Sequence, residues 1–411
     1  MASLPQNWNF VPLKELCQII QYGYTASASK EPIGPKFLRI TDIVPNHIDW
    51  GGVPFCKIES NKEQKYLLSE GDIVVARTGA TTGFAKRIGN HPPAVFASYL
   101  VRLRVKEGVD SRYVGHVIES DEYKRFIKTH IGGAAQPNAN AQVLTSFPMP
   151  VPPVGVQQKI AAILSAYDDL IENNLRRIKI LEEMAQNLYR EWFVKFRFPG
   201  HAKVRMVDSP LGKIPEGWDV RRLSDVCNLV MGQSPKSEFY NEEGKGLPFH
   251  QGVTDFGNRF PKTRLYCSVK SRLAAAGDIL FSVRAPVGRI NIAPTEMVIG
   301  RGLSAIRHSA GFQWFAFHLL KEKFKEEDSM GGGTIFKAVT KVDMQGIEFL
   351  SADNETHQRF EEIVLPVESQ VENLTIKNSN LRQTRDLLLP KLISGELDVS
   401  ELEINTGKKA A

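Results

Sequence analysis

Cysteine is scarce in this chain, and the few present are not arranged for chemistry. Cys17, Cys56, Cys227 and Cys267 form no C-x-x-C string. That argues against a zinc site and fits a reducing compartment, so a cytoplasmic location is expected. No apolar run reaches the roughly 18 residues of a membrane-spanning helix. The opening MASLPQNWNF lacks the basic and apolar regions of a signal peptide. No G-x-x-x-x-G-K-[ST] string occurs, although Gly212-Lys213 resembles its end, and neither H-E-x-x-H nor G-x-S-x-G is found. An Asn-Pro-Pro-aromatic tetrapeptide, the catalytic loop of amino-methyltransferases, is missing as well. Glu63-Gln64-Lys65 and Glu122-Tyr123-Lys124 are of the type nucleases use to hold metal. Neither recurs in the other half, and a chain with 24% charged residues produces such triplets by chance. The nine histidines show no ligand spacing, and His357, at a helix start, is expected in solvent. No metal, no cofactor and no enzyme activity is therefore expected of this chain. It reads as a binding or scaffolding protein.

What the sequence does contain, it contains twice. Trp8, Leu13 and Cys17 return as Trp218, Leu223 and Cys227; Gly71-Asp72-Ile73-Val74 returns as Gly277-Asp278-Ile279-Leu280. Ile131-Gly132-Gly133 returns as Met330-Gly331-Gly332, Gln158 as Gln358, and Glu172-Asn173 as Glu372-Asn373. A period near two hundred residues is far too long for a solenoid, whose units span about 20–50. It marks a duplicated domain followed by a duplicated helix. Such a chain can present two similar surfaces to one extended partner, and double-stranded DNA is the obvious one. The charge permits this without demanding it. Residues 1–155 carry 17 Lys+Arg against 13 Asp+Glu, and residues 211–350 carry 19 against 15, so each lobe is +4. Only clustering on one face would make an electrostatic footprint.

Within each half, short apolar strings after Gly-Asp, such as Asp72 to Ala76 and Asp278 to Ser282, read as buried strands. Tyr99–Val105 reads as another strand, with Arg104 and its counterpart Arg307 structural. Ser111–Thr129 and Gln313–Glu327 have helical spacing and predict one helix per lobe. A long helix follows each lobe. Tyr167, Asn174, Leu181 and Leu188 recur every seven residues, flanked by Ile171, Ile178 and Trp192; Val367, Leu374, Leu381 and Leu388 do the same, flanked by Ile363 and Val371. No glycine or proline lies between Gln157 and Phe198, so about forty residues, roughly 60 Å, can form one helix. The second helix should stop at Leu389-Pro390. Sustained heptads argue for a coiled coil, with Asn174 on the seam facing Leu374 as a polar register device.

The expected fold class is α+β: two similar mixed α/β lobes joined by two long helices in an antiparallel coiled coil, with a pseudo-twofold internal repeat. The expected divisions are 1–155, first lobe; 156–198, first helix; 199–213, linker; 214–355, second lobe; 356–397, second helix; and 398–411, tail.

These motifs resemble the specificity subunit of Type I restriction-modification systems. The resemblance rests on Leu4-Pro5…Trp8 and Ile214-Pro215-Glu216-Gly217-Trp218, which open the halves, and on Ala135-Gln136-Pro137-Asn138 and Val151-Pro152-Pro153…Gln157-Gln158…Ile160 before the first helix. Leu188-Tyr189-Arg190-Glu191-Trp192-Phe193 and Leu388-Leu389-Pro390-Lys391-Leu392-Ile393-Ser394-Gly395-Glu396-Leu397 close the helices. The second half departs by having Ser351-Ala352-Asp353-Asn354 where the first has its prolines. The resemblance implies that each lobe is a target recognition domain reading half of a split DNA site, and that the helices set the unread gap. It implies docking of two copies of a modification (methyltransferase) subunit, which carry S-adenosylmethionine, and of a restriction motor-nuclease subunit. The alternative is an orphan two-lobe DNA-binding or adaptor protein outside any restriction system. The DNA-contacting residues favoured in the first lobe are Arg39, Thr41, Asn46, Arg77, Thr78, Lys86 and Arg87. In the second they are Gln251, Arg259, Lys262, Arg264, Arg284 and Arg289.

Overall fold

A computed structural model describes residues 8–45, 47–131, 138–210, 212–324 and 338–406. The chain divides into two compact units. One combines Met1–Asn173 with Asn378–Ala411, and the other is Asn174–Lys377. These units do not follow the linear divisions expected from sequence, because each takes a part of both long helices.

The first unit is built on a four-stranded antiparallel sheet in the order Cys17–Tyr22, Leu100–Val105, Ile73–Ala76, Ala85–Arg87. The second repeats that order with Cys227–Met231, Leu303–His308, Ile279–Ser282 and Ile290–Ile292. Ile73–Ala76 and Ile279–Ser282 are buried throughout, which is why they read as continuous apolar strings and not as alternating ones. Each lobe adds a parallel pair, Lys36–Leu38 with Ala94–Phe96 and Phe249-His250 with Val298-Ile299. Each is closed by an antiparallel ribbon just before its long helix, Asn9–Pro12 with Pro148–Val151 and Asp219–Arg222 with Glu348–Ser351.

The recurring Gly-Asp-Ile string has a physical explanation. Gly71 and Gly277 hold φ of +89° and +82°, a region that costs a residue with a Cβ roughly 1–2 kcal/mol. The following Asp72 and Asp278 accept the backbone N–H three residues back, from Ser69 at 2.9 Å and Ala275 at 2.7 Å. They also pair with Arg104 (2.6 Å) and Arg307 (2.5 Å) on the neighbouring strand. Those two arginines are structural, as their position inside strands suggested. Cys17 and Cys227 are buried, and burial pushes both thiols up to about 12; they pack and do not react.

Ser111–Thr129 is two helices, not one. Ser111–Glu119 ends at Ser120, whose extended backbone (ψ 159°) breaks the run and whose hydroxyl caps Asp121–His130 by accepting from Tyr123 N–H at 3.3 Å. The other lobe helix runs Gln313–Lys323 and is capped by Phe324; residues 325–327 of that expected segment lie outside the described residues, as do both repeated Gly-Gly strings and Ala135-Gln136-Pro137. The linker contains a ribbon of Met206–Ser209 with Gly212–Pro215. The tail is docked as far as Val399, which is buried in the first unit's core.

The long helices span Val154–Tyr189, continued by a π-helical turn at Arg190–Val194, and Asn354–Ile393. The second does not stop at Pro390: Pro366 and Pro390 are accommodated within it. In each unit the two helical segments run antiparallel. In the first, Asp168 pairs with Arg385, and the Ile171 carbonyl accepts from Asn378 at 3.4 Å. In the second, Phe193 stacks on His357 (5.5 Å) and Tyr189 lies edge-on to Phe360 (6.2 Å). Of the nominated seam residues, Asn174 and Leu374 are buried, whereas Tyr167, Leu181, Leu188, Val367, Leu381 and Leu388 are half-buried. The deeper row is Ile160, Leu164, Ile171, Ala185 and Tyr189 on the first helix, and Phe360, Val364, Val371 and Asn378 on the second. Ile363, expected beside the seam, is exposed. A helix turns once per 3.6 residues and not 3.5, so a strict heptad drifts off the buried stripe.

His357 is not in solvent. It is buried between Phe193 and Phe312, whose rings stack on it at 5.5 and 5.1 Å.

Candidate nucleic-acid interface

Arg77, Thr78 and Arg284 sit where each buried strand leaves its sheet. In the first lobe, Arg77 N–H donates to the Tyr99 carbonyl at 3.0 Å, the Arg77 carbonyl accepts from Ala139 N–H at 2.8 Å, and Thr78 bridges Asn138. In the second, Val283 makes the equivalent bonds to Gly302 and Val339, at 3.0 and 2.8 Å, and Arg284 bridges Ala338. The backbone therefore equates Arg77 with Val283 and Thr78 with Arg284. Adjacent residues of an extended segment point to opposite faces, so the two arginines are not counterparts. Arg77 lies over Tyr22 (4.9 Å to the ring) and donates to Asn138 at 3.2 Å. Arg284 is exposed, with no side-chain partner among the described residues.

The other first-lobe candidates divide similarly. Thr41 is exposed beside an open groove of 370 Å³ lined by Tyr24, Arg39, Ile40, Ser98 and Tyr99 among others. Arg39 faces the same groove but is held by Asp42 through two hydrogen bonds of 3.0 and 2.9 Å, and that partner keeps its pKa above the ordinary arginine value. Lys86 forms a 2.6 Å ion pair with Glu119, 17% exposed. Arg87 packs against Gly115 and donates to Ser111 at 3.3 Å. Burial lowers its pKa, opposed by Glu70. These two cations brace the strand Ala85–Arg87 against the helix Ser111–Glu119. Asn46 lies outside the described residues.

In the second lobe Arg259 is a clear correction. It is 4% exposed, its guanidinium contacts Glu368 at 2.8 Å and lies over Trp314 at 5.1 Å, and its Nε and Nη1 find no hydrogen-bond partner among the described residues. A group so enclosed cannot reach a duplex. Arg264 is exposed but ion-paired to Asp255. Lys262 and Arg289 are exposed. Gln251 exchanges hydrogen bonds with Ser234 at 2.9 and 2.7 Å, and the same hydroxyl accepts from Arg301 N–H at 3.3 Å.

Sequence reasoning missed Tyr99 and Arg301. Both precede the matched strands Leu100–Val105 and Leu303–His308, and both are exposed, Tyr99 by 59%. An aromatic left in solvent beside a strand end was the available signal. The exposed set is thus Thr41 and Tyr99 in one lobe and Gln251, Lys262, Arg264, Arg284, Arg289 and Arg301 in the other. Among the described residues no group of three or more potential metal ligands occurs, and no helix is long and apolar enough to cross a membrane.

The profile of the family described as Type I restriction modification DNA specificity domain matches the chain twice, over residues 5–183 and 215–377. The chain belongs to that family, and its function is DNA recognition within a Type I restriction-modification system. It is similar to the putative type I restriction enzyme MjaX specificity subunit of Methanocaldococcus jannaschii, at 30% identity over 97% of this chain and 96% of that one. The MjaIX specificity subunit of the same organism is also 30% identical, over 98% and 96%. The crystal structure of the S subunit of a Type I restriction-modification system from M. genitalium shares the fold, with a TM-score of 0.56, 18% identity, and coverage of 95% and 97%.

Proposed function

We propose that each lobe reads one half of a split duplex target and that the long helices fix the unread gap. The reading rests above all on one sheet order occurring twice in a single chain, each time mounted on an antiparallel helix pair. One lobe reading a short half-site has modest power, since each bidentate base contact discriminates by about 1–3 kcal/mol. Tethering makes the second binding event intramolecular and raises affinity without new contacts.

In this reading the chain is a non-catalytic subunit. The chemistry belongs to two modification subunits carrying S-adenosylmethionine, and a restriction motor-nuclease subunit joins them. The helices offer side chains for such docking. Leu170 and Leu387 in the first unit, and Ile180, Met184, Leu365 and Ile376 in the second, are apolar and exposed, and exposed apolar surface on a folded protein commonly marks a partner site.

The test is a lobe exchange in the assembled methyltransferase, followed by mapping of methylated sites. Replacing residues from about 10 to 150 with the lobe of a relative should change one half-site and leave the other and the gap intact. Deleting one heptad from either helix should change the gap and not the bases. A change in both half-sites on lobe exchange sinks the division of labour.

A further inference from the structure

Each unit fastens its lobe to the long helices through a histidine and a carboxylate, and the two fastenings hold corresponding places. His116 follows the buried Tyr113 by three residues on the helix Ser111–Glu119; His318 follows the buried Phe315 by three on Gln313–Lys323. Asp168 follows the buried Leu164 by four residues on the first long helix, and Glu368 follows the buried Val364 by four on the second.

In the second unit His318 Nε2 lies 2.9 Å from Glu368 Oε1, and Nδ1 lies 2.8 Å from Gln186 Oε1. The Gln186 amide nitrogen donates to the His318 carbonyl at 3.3 Å and to Glu322 at 3.1 Å, which fixes the direction of its oxygen. Two facing acceptors favour the doubly protonated ring, while burial opposes that charge and lowers the pKa. Arg259 completes the cluster from the lobe side. In the first unit the His116 ring hydrogen-bonds the Ser165 hydroxyl of the long helix through Nε2 at 3.3 Å, its Nδ1 faces the Asp168 carboxylate at 3.7 Å without a hydrogen bond, and Asp168 also holds Arg385 from the other long helix.

Apolar packing between lobe and helices is strong but non-directional. Charge-assisted hydrogen bonds are directional and short. A buried ionic cluster is weak evidence for stability, since apolar side chains of similar volume often do as well. Its distinctive contribution is geometric. We propose that His318–Glu368–Arg259 and His116–Asp168–Arg385 are positioning residues. They set the angle at which each lobe leaves its helix pair, and with it the separation of half-sites that the protein accepts. This rests on the split-site reading above.

The experiment uses the complete complex with its modification subunits. Three duplexes carry the mapped target with its native gap, with the gap changed by one base pair, and with the second half-site alone. Glu368→Gln should cut the preference for the native gap by about fivefold, the low end of ordinary coupling between sites, with binding to the half-site alone unchanged. An unchanged gap preference overturns the proposal. So does an equal loss on the half-site duplex, which would mean a damaged lobe and not a misplaced one. Should Glu368→Gln fail to fold, Asp168→Asn at the more exposed fastening takes its place, with a smaller loss of gap preference expected and rescue by Asp168→Glu; no loss, or no rescue, overturns the proposal. A wild-type complex indifferent to the gap would instead defeat the split-site reading itself.

Discussion

Arg104 and Arg307 do the same work in the two lobes; Arg77 and Arg284 do not. The first pair sits inside matched strands and neutralises matched aspartates. The second pair is displaced by one residue along a segment that the backbone bonds hold in strict correspondence. That offset leaves one arginine lying on a tyrosine and the other in solvent. Duplication has kept the groups that build the sheet and released those at its rim. A recognition protein needs this division, because the rim must differ for the half-sites to differ.

The fastenings differ in burial as well, and this gives the largest expected effect. Glu368 and Arg259 are almost wholly enclosed, whereas the Asp168 side chain is 40% exposed. Arg259→Ala should destabilise the second unit by about 3–5 kcal/mol, the usual result of removing one partner of a buried ion pair. Asp168→Ala should cost the first unit about 1 kcal/mol or less. Hydrogen exchange resolved by segment would measure both, and equal losses would show that burial does not separate them.

Acid should also act on the two units unequally. His308 and His357 have no histidine counterparts in the first unit, where Gln157 occupies the place of His357. Burial lowers both to about 4, and the His308 Nδ1 must be unprotonated to accept from Ala310 and Phe312 N–H at 3.2 and 3.3 Å. An unfolded histidine takes up its proton near 6.5 and these folded ones near 4. Their contribution is therefore whole above pH 6.5 and is lost as pH falls to 4, up to about 3 kcal/mol for each. His116 in the first unit and His318 in the second are both lowered by burial against the pull of a facing carboxylate, so the difference between the units rests on His308 and His357. His357→Gln should flatten the second unit's profile; a profile that stays steep would place the acid sensitivity elsewhere.

The rim arginines sharpen the contrast at a smaller scale. Arg284→Ala should weaken DNA binding by about 1–3 kcal/mol if it reads a base, relaxing one position of one half-site, and leave the melting temperature unchanged. Arg77→Ala should lower the melting temperature by a few degrees through loss of its contacts with Tyr22 and Asn138. Binding unaffected by Arg284→Ala would remove it from the interface. Smallest of all, Thr41→Val should reduce affinity by less than about 1 kcal/mol, the worth of one ordinary hydrogen bond.

The repeat, the buried strands and the long helices were legible because each follows from a periodicity or a Gly-Asp turn that the residues carry locally. The site was legible only in part. Nothing local distinguishes Arg259, enclosed by Trp314 and Glu368, from Arg284, which faces water; the difference lies in partners fifty or more residues away. Ser120 looks compatible with a continuous helix until its hydroxyl is seen capping the next one. His357 looks like a solvated start of a helix until Phe193 and Phe312 cover it.

The composition of the compact units has a consequence for biosynthesis. The second unit, Asn174–Lys377, is one unbroken stretch, whereas the first needs residues from both ends of the chain. Its core includes Leu392, Ile393 and Val399 beside Ile160 and Leu164. On a ribosome the lobe made first must therefore wait, incomplete, while more than two hundred further residues are added, roughly 10–50 s at ordinary elongation rates. The lobe made second can close before it. The order of folding is the reverse of the order of synthesis, and a chain cut short partway along its final helix, just after Lys377, would carry one finished reader and one unfinished one.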